Sequence, residues 1–310
     1  MKDGSPLVSV VLPAYNAQAT LAESIQSVID QTYTHWELIV INDGSTDQTE
    51  NIIKSFEDER VKYYCNDGNK RLIYTLNRGF DLATGKYIAR MDADDVCFPC
   101  RFEKQVAFLE KNQDVIVCGT FMEKFGAESG LCKYKTDDVS IKEAFLTHTC
   151  FGHPSVMINR DLWKNASVRY DSSFKNAEDL KLWLDLMPYG RFANIPEVLL
   201  KYRISETQCT NYGHDEMLRS TINCNGIFLR REIGNELYDK YKSKGLNLGL
   251  LREVRKESNN RHILIAMYMN MDKLDLIVFL FYIMSGDFLI DTSCFKRVVN
   301  RFLGRVPKNI

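Results

Sequence analysis

Asp92-Ala93-Asp94-Asp95 closes the apolar run Tyr87-Ile88-Ala89-Arg90-Met91. Three carboxylates crowded at the end of what reads as a buried strand oppose one another's ionisation, and uncompensated buried charge is costly. A divalent cation relieves that repulsion, because hard metals such as Mg2+ and Mn2+ take carboxylate oxygens as ligands. The other reading is a solvated acidic turn that caps a helix starting near Pro99, a position Asp favours. Spacing alone leaves both open.

The elements that must position these carboxylates alternate between strand and helix. Leu7-Val8-Ser9-Val10-Val11-Leu12 is a nearly continuous apolar run ended by Pro13, which suits a strand buried on both faces. Residues 19–31 follow with a helical stripe of Leu21, Ile25, Val28 and Ile29. Glu37-Leu38-Ile39-Val40-Ile41 reads as a second strand, and Asn42-Asp43-Gly44-Ser45 as turn chemistry. Thr46 or Ser45 is expected to cap a helix running through Phe56. Residues 61–64 read as a third strand, 72–83 as a helix and 86–91 as a fourth strand.

That alternation predicts a parallel sheet with helices on both faces, whose ligands bind at the carboxyl ends of the strands. Residues 13–16, 42–45 and 92–95 all follow strand ends, so all three are expected to converge on one edge. From Gln105 the pattern is a helix with Val106 and Leu109, then mixed segments up to Tyr202. Loops or a small hairpin are expected over 126–138, and mostly helix after Asn211.

At 310 residues the chain suffices for one large domain or two small ones. A formal net charge of -1 argues against broad electrostatic binding of nucleic acid. The nine cysteines, odd in number and scattered from Cys65 to Cys294, read as reduced thiols in a cytoplasmic setting. Cys97-Phe98-Pro99-Cys100 lacks the second pair or the histidines of a zinc site and reads as incidental. Met1-Lys2-Asp3-Gly4-Ser5 runs directly into a strand pattern without the regions of a signal peptide. The apolar run at 276–284 is too short to span a bilayer, so a soluble or peripheral protein is expected.

The ordered motifs resemble the inverting glycosyltransferases of family 2. They are Val8-Ser9-Val10-Val11-Leu12-Pro13-Ala14-Tyr15-Asn16, then Glu37-Leu38-Ile39-Val40-Ile41-Asn42-Asp43-Gly44-Ser45-Thr46-Asp47. Leu76-Asn77-Arg78-Gly79 follows, and then Ala83-Thr84-Gly85-Lys86 leading into the run that ends at Asp95, with Pro99, Arg101 and Gln105 beyond. His153-Pro154-Ser155-Val156 and Ala177-Glu178-Asp179-Leu180-Lys181-Leu182-Trp183 complete the set, which covers about residues 7–210.

The resemblance implies the α/β GT-A fold, a Rossmann-like, mostly parallel sheet with helices on both faces. It places a catalytic domain at 1–210, with a nucleotide-sugar-binding half over about 1–115 and an acceptor half over 116–210. A helical C-terminal region, 211–310, follows.

The same resemblance implies roles. Pro13, Ala14, Tyr15 and Asn16 line the nucleotide pocket, and Asp43 accepts a hydrogen bond from the base, unless it is only a turn residue. Lys70, beside Asn69, contacts the nucleotide or diphosphate, or is a surface lysine. Asp92, with Ala93, holds the ribose, and Asp94 binds the Mn2+ or Mg2+ that bridges the diphosphate. Asp95 supports that site or caps the following helix. Asp179 is the catalytic base that takes the acceptor hydroxyl's proton, with Glu178 as its fallback; alternatively both complement a helix dipole. His153 reads as structural, with a metal or acceptor role as the alternative, and Trp183 as core or a sugar-stacking ring.

One departure stands out. Family members often carry Tyr-Arg-x-His, whereas Tyr202-Arg203-Ile204-Ser205 puts Ser205 at the His position. Arg203 retains a fork of donors suited to diphosphate oxygens. The Gln-x-x-Arg-Trp element of processive synthases is absent, which implies transfer of a single sugar.

Residues 294–308 place Phe295, Val298, Val299, Phe302, Leu303 and Val306 at helical spacing among basic residues. Such a segment lies on an anionic membrane surface, or packs on the domain or on a second subunit as a homodimer contact.

The expectation is a metal-dependent inverting glycosyltransferase that moves one sugar from a nucleotide sugar, a UDP-sugar, to a hydroxyl of a glycan or lipid-linked acceptor. Its setting is bacterial surface polysaccharide synthesis, peripheral on the cytoplasmic face of the membrane. The alternatives are a nucleotide-sugar-binding protein without catalysis and a sugar-nucleotide pyrophosphorylase. The latter needs a Gly-rich, Arg-containing loop after the first strand, which Pro13-Ala14-Tyr15-Asn16 is not.

Overall fold

Strand β1 (Val8–Ala14) is buried at every position, as its continuous apolar run predicts for a central strand. It pairs in parallel with β2 (Trp36–Asn42) and β4 (Tyr87–Arg90), and β2 pairs in parallel with β3 (Val61–Cys65). Val8, Val10 and Leu12 pack with Leu21, Ile25 and Val28 of α1 (Leu21–Ile29) and Ile53 of α2 (Thr49–Lys54). On the opposite face Val11 meets Gly79 of α3 (Arg71–Leu82), where an added Cβ would lie 2.3 Å from the valine. Helices therefore cover both faces, as expected.

The computed structural model describes residues 4–145, 148–205, 214–244, 250 and 253–254. Among them the sheet has nine strands in the order β3-β2-β1-β4-β8-β6-β9-β5, with β7 beside β6. The added strands are β5 (Val96–Cys97), β6 (Val115–Gly126), β7 (Gly130–Cys132), β8 (Met157–Asn159) and β9 (Arg191–Ile204). The remaining helices of this part are α4 (Arg101–Lys111), α5 (Asp138–Ala144), α6 (Arg160–Ala166) and α7 (Glu178–Leu186). The hairpin expected over 126–138 is present as β6 against β7.

The long parallel pair β6–β9 was not legible, and its register explains why. Thr120 faces Ile195 but Phe121 faces Val198, so Pro196 and Glu197 bulge out of the ladder. A bulge breaks side-chain alternation and accommodates a proline that has no N–H to donate.

The described residues fall into two compact units. The first lies within Met1–Ile141, Cys150–Ser173 and Lys181–Gln208; the second lies within Lys142–Thr149, Phe174–Leu180 and Cys209–Ile310. The second contains α8 (His214–Lys244), interrupted at Gly234. The segments 276–284 and 294–308 lie outside the described residues. No described helix is long and apolar enough to cross a membrane.

Two local expectations are corrected. Strand β1 runs through Pro13 instead of ending before it. Val8 donates to His35 and Ala14 accepts from Asp43, so the odd-numbered amide positions face β4. There the ladder has already ended at Val11 and Arg90, and no donor is missed at Pro13. Ser45 and Thr46 do not cap α2, which starts at Thr49 after Gln48 and ends at Lys54. Asp47 Oδ1 instead accepts from Thr49 N at 3.0 Å.

Glu37 sits buried within β2 and ties the sheet together. Its Oε1 accepts from Ser9 Oγ, Thr84 N and Thr84 Oγ1, while Oε2 pairs with Lys62 of β3 at 2.6 Å. Burial alone would raise its pKa, but the Lys62 ion pair and the Ser9 and Thr84 hydrogen bonds outweigh it and bring it down to about 2. A depressed folded pKa contributes stability that is present above the unfolded value, near 4.5, and lost as pH falls toward 2. Glu37→Gln should therefore lower stability at pH 7 by about 2 kcal/mol and flatten the loss between those limits. Urea unfolding from pH 7 to 2 checks this; an unchanged acid limb would refute the assignment.

Candidate active site

The site is built where β1, β2 and β4 end. Asn16 takes a left-handed φ of 48°, which Asn tolerates, and turns the chain after β1 toward the loop after β2. Asn16 N donates to Ser45 Oγ at 3.0 Å, and Thr46 N donates to Asn16 Oδ1 at 2.9 Å. Ala17 N donates to Thr49 Oγ1 and Gln18 N to Asp47 Oδ2. Ser45, Thr46 and Asp47 thus lace two loops together. Of the expected pocket residues, Pro13 and Ala14 are buried in β1, while the Tyr15 ring is 48% exposed beyond the strand end.

Asp43, buried after β2, organises the approach to α3. Its Oδ1 accepts from Asn66 Nδ2 at 2.6 Å and from Lys70 N at 2.9 Å, and its Oδ2 accepts from Arg71 N at 2.8 Å. A carboxylate has about four lone-pair positions, so one on Oδ2 remains for an incoming donor. Asn69 Oδ1 also accepts from Arg71 N, and the side chains of Asn69 and Lys70 are exposed. Gly44 permits this junction: at φ 71°, an added Cβ would lie 2.5 Å from the Gly68 carbonyl carbon.

The carboxylates of Asp92, Asp94 and Asp95 offer oxygen atoms within 4.8 Å of one another. Convergence of the strand ends holds here too: Thr20 Oγ1 donates to Ala93 O at 2.9 Å, and Ser24 Oγ donates to Asp95 O at 2.7 Å. The three side chains are not equivalent. Asp92 is gripped by Arg90, whose Nη1 and Nη2 each lie 2.6 Å from one of its oxygens. Asp95 is fully buried; its Oδ1 accepts from Arg203 N at 2.9 Å, and its Oδ2 has no partner. It does not cap α4, whose N-cap position is Cys100.

Burial, followed by the charge of Asp92, pushes Asp94 up to about 6, against the pull of Arg90 and Arg203. Burial and both neighbouring carboxylates push Asp95 well above the usual range. An all-oxygen donor set with one orphaned buried oxygen and mutual repulsion fits Mg2+ or Mn2+. It does not fit the solvated acidic turn.

The flanking residues divide more clearly than the sequence allowed. His153 Nε2 lies 2.8 Å from Tyr170 Oη, and burial, then the charge of Arg90, pushes its pKa well below 6.5. Its ring is held by Tyr170 and lies against Trp183, which fits the structural reading. Trp183 is fully buried, with Phe151 5.3 Å and His153 6.0 Å from its ring centroid, which excludes sugar stacking. Glu178 and Asp179 open α7, and Asp179 Oδ1 accepts from Leu180 N at 2.7 Å. These two belong to the second unit's stretch of chain.

Arg203, expected on a diphosphate, donates through Nε to Asp94 O at 2.8 Å and pairs through Nη2 with Glu23. Sequence reading missed the structural parts of Arg90 and Glu23. Arg90 carried a signal, being a lone cation inside an apolar run; Glu23 carried none.

Arg90 is 4% exposed and Asp92 25% in side-chain terms, so removing the cation leaves a half-buried charge among carboxylates. Arg90→Met should cost about 3 kcal/mol, and adding Asp92→Asn should recover part of it. Urea midpoints for the two variants decide; a wild-type midpoint for Arg90→Met would show that Asp92 needs no counter-charge.

Comparison with known proteins supplies the family. Residues 9–160 match the glycosyl transferase family 2 model. A glycosyltransferase of Haemophilus influenzae is 32% identical over 98% of this chain and 98% of its own length. A UDP-Glc:alpha-D-GlcNAc-diphosphoundecaprenol beta-1,3-glucosyltransferase of Escherichia coli is 30% identical over 69% of this chain and 83% of its own. The S. aureus TarS 1-349 structure in complex with UDP-GlcNAc shares the fold with a TM-score of 0.60. It is 16% identical and covers 84% of this chain and 86% of its own. With its GT-A sheet and its carboxylates at the strand ends, this chain belongs to glycosyl transferase family 2 and is a glycosyltransferase.

Proposed function

We propose that the protein transfers one sugar, with inversion, from a UDP-sugar to a hydroxyl of a lipid-linked or glycan acceptor in bacterial surface polysaccharide synthesis. The observation that carries this reading is the unpartnered buried Oδ2 of Asp95 within the carboxylate trio at the carboxyl edge of β4. The Escherichia coli relative, named for a UDP-Glc donor and a diphosphoundecaprenol-linked acceptor, supports the donor and acceptor classes. This setting is peripheral on the cytoplasmic face of the membrane.

In this reading the exposed Tyr15 ring and the remaining lone pair of Asp43 receive the base. Lys70 sits beside them on an exposed turn. Asp92, held by Arg90, presents its oxygens to the ribose, and Asp94 with Asp95 holds Mn2+ or Mg2+. When bound, that ion neutralises charge on the departing diphosphate. Asp179 takes the proton of the acceptor hydroxyl as that oxygen attacks the anomeric carbon opposite the diphosphate. Its place in the family's Glu-Asp element supports the assignment, and Glu178 is the fallback. The domain division at about 210 belongs to the same reading.

Two variants test it. Asp94→Asn should abolish Mn2+-dependent binding of UDP in calorimetry. Asp179→Asn should keep UDP binding while lowering kcat for transfer about 10²–10⁴-fold. Wild-type protein that binds UDP with Mn2+ but neither hydrolyses nor transfers any UDP-sugar would favour a binding protein instead. Equal turnover by wild type and Asp179→Asn would remove the base.

A further inference from the structure

The acidic loop is held from two sides, and the two holds meet. From α1, Thr20 Oγ1 donates to Ala93 O and Ser24 Oγ donates to Asp95 O. From β9, Arg203 N donates to Asp95 Oδ1 and Arg203 Nε to Asp94 O. The same guanidinium pairs with Glu23, the residue before Ser24 on α1, and lies 4.3 Å from the centroid of the Phe125 ring in β6. A closed ring thus runs from α1 through the loop to Arg203 and back to α1. The carbonyl of Asp94 and the carboxylate of Asp95 are fixed by one residue of β9.

We propose that Arg203 and Glu23 are positioning residues that hold Asp94 and Asp95 in register for the cation, Arg203 acting on the loop and Glu23 acting through Arg203. The inference rests on the metal reading above. It gives Arg203 a task other than gripping diphosphate. It also gives the end of β9 a hold on the metal loop although Ser205 stands where a histidine is expected. A guanidinium suits the task, because its rigid planar fork fixes the directions of two acceptors at once, whereas the donors of an ammonium rotate. Residues that orient metal ligands change affinity without touching the ion.

Full-length Glu23→Gln, Arg203→Lys, Arg203→Met and the double variant Glu23→Gln/Arg203→Met test this. Amide hydrogen exchange of residues 91–97, measured without metal, should quicken about tenfold in Arg203→Met and less in Glu23→Gln. The Mn2+ dissociation constant, read by the EPR signal of free Mn2+, should rise about tenfold in Arg203→Met, with Arg203→Lys intermediate. Glu23→Gln should add nothing in the Arg203→Met background. Unchanged exchange in Arg203→Met and Glu23→Gln overturns the proposal, as does an equal effect of Glu23→Gln in both backgrounds. If Arg203→Met does not fold, Glu23 is 58% exposed in its side chain and its variant carries the exchange test together with Arg203→Lys. Wild-type protein that takes up no Mn2+ defeats the metal reading, and the metal-free exchange still decides the positioning.

Discussion

Asp92, Asp94 and Asp95 bring oxygens within 4.8 Å of one another at the end of β4, and each is answered in a different way. Asp92 receives a buried guanidinium, Asp95 a backbone amide, and Asp94 a raised pKa. The surrounding structure follows from keeping that repulsion in place. Arg90 ends β4 as a buried cation, and Asp92, two residues on, supplies its counter-charge. Arg203 closes β9 against the loop from the other side. A fold that relaxed these holds would let the carboxylates separate into water, and their mutual repulsion would fall away.

The edge where β1 and β2 end obeys a related rule, with hydrogen bonds in place of charge. Asp43 gathers the amides of Lys70 and Arg71 and the amide group of Asn66, so the loop after β2 and the start of α3 share one acceptor. Asn16, Ser45, Thr46 and Asp47 join the loops after β1 and β2. Groups that turn chemistry makes available were expected to cap helices or face a ligand. Most serve first to fix neighbouring loops, while the Tyr15 ring stays exposed and Asp43, though buried, keeps one lone pair uncommitted.

Much of the first half was legible because its signals are local. The strands at Val8, Trp36, Val61 and Tyr87 and the helices between them follow apolar runs and 3.6-residue stripes, and their ends agree within a few residues. The carboxylates of the candidate site stood out as motifs, above all Asp92 to Asp95 and Asp43. The pair β6–β9 was not, because the bulge at Pro196 and Glu197 breaks the alternation that marks a strand. The separation of His153 and Trp183 into structural residues also needed their surroundings. An imidazole bonded to Tyr170 beside Arg90 cannot be told from a ligand by its neighbours in sequence.

By itself the sequence determined the α/β alternation, the convergence of three polar segments on one sheet edge, and the family's ordered motifs. These depend on residue type and short spacing, which a chain carries wherever it folds. Only the tertiary structure decided how three carboxylates become unequal. Arg90 faces Asp92 from two residues away, but Arg203 reaches Asp94 and Asp95 from more than a hundred residues along, and Glu23 reaches Arg203 from farther still. Burial and long-range pairing set charge and position in ways that no local pattern encodes.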